Sequence, residues 1–257
     1  MILTDKAGND LRRRLLTEWG GFIDTLYDAE QLPKLQEEEA IPSSWLRITG
    51  SSCTAVVAEL WGEAREALPR FVEYLSQSTL NMIVTNGRLG PMLVYYIQDW
   101  NKGDFDDYPP DIAQYFEDGF MLAGLPTPIE QIEAFEQSTG KIPASLKRLW
   151  QVHGFMLLKN GAFLSSLDRT LKEFCDSPRV LGLRKVSYDP KEQYECLAIA
   201  NVWKELPFCF IRKPGTCCWE DVVVEAYRDR DKVDPPGNTH LDDLLTDWTF
   251  SEWSPLS

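Results

Sequence analysis

GKIPASLKRLWQVHG, residues 140–154, carries the clearest structural pattern in this chain. A glycine and a proline stand before its amphipathic centre, and a second glycine follows it. Leu146 and Trp150 lie four residues apart, on one face of a helix, with polar residues between them. The pattern predicts a short helix that opens at Pro143, packs an apolar face into a core and stops at Gly154.

A second helix is predicted directly before this one. Thr127, Pro128 and Glu130 form a capping-box pattern with a proline at the first helical position, which would satisfy amide groups at a helix start. Ile129, Ile132 and Phe135 then give an apolar edge, and Gly140 is expected to supply the left-handed residue that stops the helix. Two consecutive helices therefore open the second half of the chain.

Strand patterns follow these helices. Residues 155–167 hold two apolar runs around an Asn160-Gly161 pair, which is favoured in tight hairpin turns. Stretches rich in β-branched and aromatic residues predict further strands. These lie at residues 179–186, 195–203, 207–211 and 218–227.

A last helix is predicted to start at Thr239. It would bury Leu241, Leu244, Leu245 and Trp248. Two helices, a run of strands and a closing helix indicate the α+β class, not the alternating pattern of a nucleotide-binding fold.

The first half of the chain is more acidic and more helical in pattern. Residues 1–125 carry 20 acidic and 10 basic side chains, a net charge of −10, whereas residues 126–257 carry 20 and 16, a net charge of −4. Glycine and two prolines at 122–128 predict a boundary between a mostly helical region (1–125) and an α+β domain (126–257). Residues 80–97 fit either a hairpin turning at Asn86-Gly87 or a buried helix.

The charge of the whole chain limits its partners. Its 257 residues have a formal net charge of −14. Such a surface is repelled by phosphates, so we expect no direct nucleic-acid binding, and it would attract a basic partner. No apolar run approaches a membrane span, and the start lacks the apolar core of a secretory signal. We therefore expect a soluble cytoplasmic protein with reduced thiols that binds no membrane.

Catalytic and cofactor motifs are absent from the sequence. No phosphate-binding glycine loop, nucleophile elbow or zinc-protease motif occurs. His153 is interpreted as a helix-end histidine, and His240 and Asp242 as helix-capping residues. Cys217 and Cys218 are expected to alternate across a strand as small core residues, and a redox-active pair is the alternative interpretation. We therefore expect a non-enzymatic protein without catalytic residues, bound metal or cofactor.

An acidic aromatic loop is the candidate contact surface. Its members are Trp100, Asp104, Phe105, Asp106, Asp107 and Tyr108. Aromatic anchors among charges are typical of protein interfaces, although a solvated loop is the alternative interpretation. The aspartates lack the glycine and closing glutamate of a calcium loop. A second acidic run at residues 37–39 predicts a solvated helix face.

Residues 128–158 resemble the N-terminal signature of the SUKH superfamily. That signature has an apolar-acidic helix, a glycine, an apolar-proline pair that opens a second helix, and a glycine before the first strand. The matching positions are Ile132, Glu133, Glu136, Gly140, Ile142, Pro143, Leu146, Trp150 and Gly154. Residues 205–211 and 239–248 are similar to the late strand and closing helix of the family. His153 departs from the pattern, since the family usually has asparagine there.

The resemblance implies a non-enzymatic binding protein with two N-terminal helices, a mostly antiparallel sheet and a closing helix. Bacterial members of the superfamily are typically immunity proteins that neutralise polymorphic toxins, often nucleases or deaminases. Fungal members are regulatory scaffolds in cell-wall synthesis. We expect an immunity protein that binds a basic cognate toxin through an acidic surface. A regulatory scaffold is the second hypothesis, and a carboxylate-dependent hydrolase is the third.

Overall fold

The computed structural model divides the chain into two compact units. Unit 1 comprises Met1–Glu63 and Val72–Leu125, and unit 2 comprises Ala64–Phe71 and Pro126–Ser257. Residues 64–71, which the sequence places in the N-terminal region, thus belong to unit 2. The structure describes residues 6–39, 41–49, 51–97, 119–157, 163–164, 167, 184–186, 194–202, 206–227, 232–233 and 239–250.

The N-terminal helices form where apolar residues recur at helical spacing. They are α1 (Lys6–Trp19), α2 (Leu32–Glu39), α3 (Cys53–Leu60) and α4 (Pro69–Ser78). The hydroxyl of Ser52 caps α3 by accepting a hydrogen bond from the amide of Ala55 at 3.3 Å. Pro69 is the first residue of α4, a position that suits proline because its missing amide hydrogen would have no partner within the helix.

Unit 1 also contains a four-stranded antiparallel sheet, so it is less helical than its sequence pattern predicts. The strands are β1 (Ile23–Leu26), β2 (Thr79–Gly87), β3 (Gly90–Ile97) and β4 (Gly119–Gly124), paired in that order. Most residues of β2, β3 and β4 are buried regardless of which sheet face they occupy. Strands buried on both faces are near-continuous apolar runs, which periodicity cannot distinguish from a buried helix.

The β2–β3 hairpin turns two residues later than predicted, at Arg88 and Leu89. Gly87 pairs with Gly90 across the turn, and Gly90 has a φ of 81°. Gly87 serves a different purpose, because a β-carbon there would stand 1.8 Å from the carbonyl oxygen of Phe22. Its missing side chain allows the chain entering β1 to lie against β2.

Large side chains fill the core of unit 1. The indole Nε1 of buried Trp61 donates a hydrogen bond to the hydroxyl of buried Tyr95 at 3.2 Å. The guanidinium carbon of Arg14 in α1 lies 5.6 Å from the ring centroid of Phe120 in β4, a cation–π distance. Helix α1 is therefore held against the sheet by a charged side chain as well as by the burial of Leu15.

Unit 2 has the predicted order of two helices, a sheet and a closing helix, which confirms the α+β class. Its helices are α5 (Ile129–Thr139), α6 (Ala144–Val152) and α7 (Leu241–Phe250). The predicted capping box before α5 is wrong, because Pro128 occupies the N-cap position and Thr127 stands outside it. The amide of Thr127 instead donates to the carbonyl oxygen of Trp150 at 2.8 Å, which ties the start of α5 to α6.

The sheet of unit 2 is antiparallel at every described strand pair. Its strands are β5 (Met156–Leu157), β6 (Phe163–Leu164), β7 (Arg184–Val186), β8 (Tyr194–Val202), β9 (Leu206–Arg212), β10 (Val223–Tyr227) and β11 (Lys232–Val233). Strand β8 pairs with β6, β7 and β9, and β10 joins β9 to β11. Six of these strands overlap the stretches predicted from the sequence, and β11 does not.

Alternate residues of the central strands make one buried cluster. It contains Tyr194, Cys196, Ala198, Cys209, Ile211 and Val224. Cys196 faces Ile211, and Cys209 faces both Ala198 and Val224 in the registers of β8, β9 and β10. The two-residue period of a strand thus places these side chains on one sheet face.

The closing helix begins two residues after Thr239, at Leu241. Leu241, Leu244 and Leu245 are buried, as predicted. The side chain of Trp248 lies outside the described part of the chain.

Candidate partner-binding surface

The acidic aromatic loop falls in residues 98–118, which are outside the described residues. Its members are Trp100, Asp104, Phe105, Asp106, Asp107 and Tyr108, and their role in partner binding stays a prediction. A different acidic surface lies among the described residues of unit 1.

We call residues 24–38 the acidic segment, since they hold five carboxylates and a single lysine. Its acidic residues, all exposed, are Asp24, Asp28, Glu30, Glu37 and Glu38. Within it, α2 buries Leu32 and Leu35, which turns its remaining residues towards solvent. The predicted solvated face at Glu37 and Glu38 is confirmed.

Two basic side chains lie among these carboxylates without neutralising them. Arg12 of α1 forms an ion pair with Asp28. Nζ of Lys34 lies 3.5 Å from Oε1 of Glu38, one helical turn further on. The side chains of Asp28 and Glu38 are 62% and 59% exposed, so water and salt screen both pairs. The acidic segment keeps a net negative charge towards solvent.

Exposed apolar side chains stand at the start of the acidic segment. Phe22 is 41% exposed, and its ring packs edge-on against that of Trp19 at a centroid distance of 5.9 Å. Its carbonyl oxygen accepts a hydrogen bond from the amide of Arg88 at 3.1 Å. Leu89, 44% exposed, follows in the same turn. Aromatic and aliphatic anchors beside a charged rim match the anatomy of protein interfaces.

The residues that resemble the SUKH signature have structural roles in unit 2. Oε1 of Glu136 accepts a hydrogen bond from the amide of Ile142 at 3.3 Å. Oε2 of the same carboxylate lies 2.7 Å from Nζ of Lys147. Glu136 therefore joins the end of α5 to both the linker and α6.

Gly140 ends α5, as predicted, but not in the left-handed helical conformation. Its φ of 97° and ψ of 165° lie in a region that is essentially restricted to glycine. A β-carbon at this position would stand 2.5 Å from Nη1 of Arg212 and 2.7 Å from the carbonyl oxygen of Cys217. Gly140 thus combines a backbone requirement with a close approach between two segments.

The second half of the signature forms the α6 core. Pro143 is the residue before the first turn of α6, and Leu146 and Trp150 are fully buried, as predicted. The Trp150 ring packs against Phe135 of α5 at a centroid distance of 5.4 Å and an angle of 81°. The expectation that Gly154 ends α6 is wrong, because the helix stops at Val152 and His153 occupies the C-cap position in extended conformation.

His153 is therefore a helix-end residue, as interpreted from the sequence. Its amide donates to the carbonyl oxygen of Leu149 at 2.8 Å, and its side chain is buried. His240 and Asp242 do not form a catalytic pair, because Nδ1 of His240 bonds to the main-chain oxygen of Asp221. Asp242 is a capping residue, but of the start of α4 instead of its own helix.

Sequence reasoning missed the arginine around which α5, β8 and β9 meet. Nε of Arg212 donates to Oε2 of Glu195 at 2.6 Å, and Nη1 donates to the carbonyl oxygen of Thr139 at 2.5 Å. The guanidinium carbon lies 4.3 Å from the ring centroid of Trp219, whose Nε1 also donates to Thr139 at 3.1 Å. Two donors satisfy the last carbonyl of α5, where a positive charge also complements the helix dipole.

The cysteine prediction is wrong for one pair. Cys217 and Cys218 lie in a turn after β9, not in a strand, and both are exposed. Their Sγ atoms are 3.6 Å apart. Cys196 and Cys209, in contrast, are buried within the sheet, as small core residues are expected to be.

Burial shifts the pKa of two side chains, Tyr95 and Cys53. Burial raises the pKa of the Tyr95 hydroxyl well above its usual range. Burial also raises the pKa of Cys53, whose Sγ lies 3.5 Å from the carbonyl oxygen of Leu80. Neither shift places a nucleophile or a base near neutral pH.

Within the described ranges, neither a cluster of metal-ligating side chains nor a membrane-spanning helix occurs. No three residues of the histidine, cysteine, aspartate and glutamate types come together there as a ligand set. None of the helices described has the length and apolar content to cross a membrane.

Comparison with known proteins adds no assignment. No family model, no curated protein sequence and no solved structure matches the chain. The SUKH resemblance rests on the residues of the chain itself.

Proposed function

We propose that this is a non-enzymatic immunity protein that neutralises a basic toxin by binding it through unit 1. The observation that carries the proposal is the exposed acidic segment, residues 24–38, beside the exposed side chains of Phe22 and Leu89. The resemblance of residues 128–158 to the SUKH signature supports the same function from the other half of the chain.

The charge of unit 1 suits a basic partner. Enzymes that act on nucleic acids commonly carry positive surfaces because their substrates are polyanions. An acidic inhibitor attracts such an enzyme over several ångströms and raises the rate of encounter. The formal charge of −14 on the chain makes this attraction a property of the whole molecule as well as of one segment.

Long-range attraction alone does not produce tight inhibition. Affinity in protein interfaces is concentrated in a few apolar or aromatic anchors that become fully desolvated. Phe22 is suited to this role because its ring is held by Trp19 while much of its surface stays exposed. The carboxylates would form the charged rim around it.

The proposal places the protein in the cytoplasm, where a nuclease or deaminase toxin would meet its substrate. The protein itself would contact the toxin and not the nucleic acid, since its acidic surface repels phosphates.

Co-expression with the product of the adjacent gene tests the proposal. The full-length chain with an affinity tag is expected to retain that product in a complex that weakens as salt concentration rises. The purified chain is also expected to abolish the toxin's activity on nucleic acid at an equimolar ratio.

Two sets of charge reversals test where the partner binds. The set in unit 1 alters the acidic segment, and the set in unit 2 is its matched control. Glu30→Lys, Glu37→Lys and Glu38→Lys together alter unit 1, and Glu130→Lys, Glu133→Lys and Glu220→Lys make the same change at exposed positions of unit 2. Only the first set is expected to weaken inhibition. Failure of the parent chain to inhibit or retain any neighbouring gene product would overturn the proposed function.

A further inference from the structure

Cys217 and Cys218 form an exposed pair of neighbouring thiols. Their Sγ atoms are 3.6 Å apart, within sulfur hydrogen-bonding distance, and both residues are exposed. We propose that this pair is a site of reversible oxidation, in which a low-molecular-weight disulfide such as oxidised glutathione converts the two thiols to a disulfide. The proposal does not depend on the proposed function.

Among the cysteines that the structure describes, the geometry favours reaction between these two sulfurs over reaction with a third residue. A disulfide bond is about 2.05 Å long, so the sulfurs must approach by about 1.5 Å from their 3.6 Å separation. The buried thiols of Cys196 and Cys209 are shielded from an external disulfide by the sheet. Cys53 is only partly exposed, so an external disulfide reaches it less readily than it reaches the exposed pair.

The reaction is balanced by the external disulfide. One cysteine loses its proton and attacks the glutathione disulfide, which forms a mixed disulfide and releases one glutathione thiolate. The second cysteine then loses its proton and attacks the protein sulfur of that mixed disulfide, which releases the second glutathione. Two protein thiols are oxidised to one disulfide, and one glutathione disulfide is reduced to two glutathione molecules.

The product would be a readily reduced disulfide. Adjacent Cα atoms are about 3.8 Å apart across a trans peptide, whereas disulfide-linked residues usually have Cα atoms about 4.4–6.8 Å apart. A bond forced outside this range is strained and easily reduced, as in regulatory disulfides. Because the two cysteines are adjacent in sequence, we expect the disulfide between them to be easily reduced.

Oxidation would change the contacts between Lys141, which follows α5, and residues 217–219, which follow β9. The carbonyl oxygen of Cys217 accepts a hydrogen bond from the amide of Lys141 at 2.8 Å, and the amide of Trp219 donates to the carbonyl oxygen of Lys141 at 2.9 Å. Lys141 and Cys218 also form an isolated parallel bridge. Closing the ring turns the peptide between the two cysteines, which carries the carbonyl of Cys217, and Gly140 lies against that carbonyl. The expected consequence is weaker hydrogen bonding of Lys141 to Cys217 and Trp219.

Redox titration of the native full chain tests the proposal. The chain is equilibrated with mixtures of reduced and oxidised glutathione, and its remaining thiols are alkylated before peptide mass analysis. The peptide that contains Cys217 and Cys218 is expected to lose two hydrogens without gaining glutathione, and dithiothreitol should reverse the change. A persistent glutathione adduct on the wild-type pair, or a pair that stays fully alkylatable while Cys53 reacts, would overturn the proposal.

Single substitutions provide the matched control. Cys217→Ser and Cys218→Ser each remove the second attack and should stop at a glutathione mixed disulfide on the remaining cysteine. Phenylarsine oxide, which bridges two nearby thiols with loss of water, should label the wild-type chain at this peptide and neither variant. Equal labelling of the single variants would show that the two thiols do not act together.

Hydrogen exchange tests the structural consequence. The amides of Lys141 and Trp219 are expected to exchange at least about tenfold faster after oxidation, since the bonds that protect them loosen. Unchanged exchange at both amides in the oxidised chain would show that oxidation of the cysteine pair does not loosen the hydrogen bonds of Lys141.

Discussion

Gly140 lies against the main-chain oxygen of Cys217, so closely that a β-carbon at residue 140 would stand 2.7 Å from that oxygen. The same β-carbon would be 2.5 Å from Nη1 of Arg212, and φ is 97°. Gly140→Ala therefore combines backbone strain with displacement of two segments. We expect it to lower the free energy of unfolding of unit 2 by about 3 kcal/mol, measured by urea denaturation.

Gly215→Ala is the control for the loss of stability caused by backbone conformation alone. Gly215 has a φ of 84°, yet a β-carbon there would meet no atom within 4 Å. Its loss of stability should be about 1 kcal/mol, from conformation alone. Equal losses in the two variants would mean that the close approach at Gly140 contributes nothing.

Asp242 caps the start of α4 from a distant part of the chain. Its carboxylate accepts hydrogen bonds from the amides of Arg70 at 3.1 Å and Phe71 at 2.9 Å. Asp242→Ala removes both acceptors and should destabilise the chain by about 1–2 kcal/mol in urea denaturation. Asp242→Asn keeps one acceptor oxygen and should lose less than half as much. If the asparagine variant were as unstable as the alanine variant, capping would not explain the role of Asp242.

Tyr95 makes stability depend on pH in the alkaline range. Burial raises the pKa of its hydroxyl above the unfolded value near 10. Above that pH the unfolded chain loses the tyrosine proton while the folded chain keeps it, so the unfolded state is favoured as pH rises. The stabilising contribution is complete below about pH 10 and declines above it.

Tyr95→Phe isolates this effect. At pH 8 the variant should be less stable than the parent by about 1–2 kcal/mol, because Trp61 Nε1 loses the acceptor that lies 3.2 Å away. Between pH 9 and 11 the parent should lose about 1 kcal/mol more than the variant, since only the parent carries the buried hydroxyl. Parallel pH profiles for the two proteins in urea denaturation would contradict this assignment.

Elements with clear local signals were predictable from the sequence. The α6 helix follows from the four-residue interval between Leu146 and Trp150 and from the proline before it, and both side chains are buried. The strands of unit 2 follow from their β-branched and aromatic composition. Local chemistry decides these elements, so the sequence contains enough information to place them.

Features that depend on distant contacts were not predictable. Arg212 meets Thr139 across 73 positions of sequence, and no spacing rule connects such residues. Asp242 has the sequence pattern of a cap, but its partners at Arg70 and Phe71 are more than 170 positions away. The same limit applies to the acidic segment. Its charge is visible in the sequence, whereas the neighbouring exposed Phe22 and Leu89 are recognisable only from the fold.

The acidic segment should control the rate of association with a basic partner. Glu30→Lys, Glu37→Lys and Glu38→Lys together should slow association by at least about tenfold at low salt and change dissociation by less than about threefold. The difference should shrink at high ionic strength, where charges are screened. Surface plasmon resonance with a co-purified basic partner measures both rates, and the equivalent charge change on unit 2 serves as the control.

The acidic aromatic loop, which lies outside the described residues, is the second candidate for steering a basic partner. Charge reversal of Asp104, Asp106 and Asp107 should slow association more than it speeds dissociation if this loop also steers the partner. Equal association rates for the variant and the parent would exclude the loop from steering.

Phe22 should instead control dissociation. An aromatic anchor that is desolvated in the complex stabilises the bound state, while the encounter depends mainly on charge. Phe22→Ala should therefore speed dissociation by about tenfold or more and leave the association rate within about twofold. Ile129→Ala, a truncation of another exposed apolar side chain in unit 2, should change neither rate. Equal effects of the two truncations on dissociation would show that Phe22 is no specific anchor, and that the partner does not bind at the start of the acidic segment.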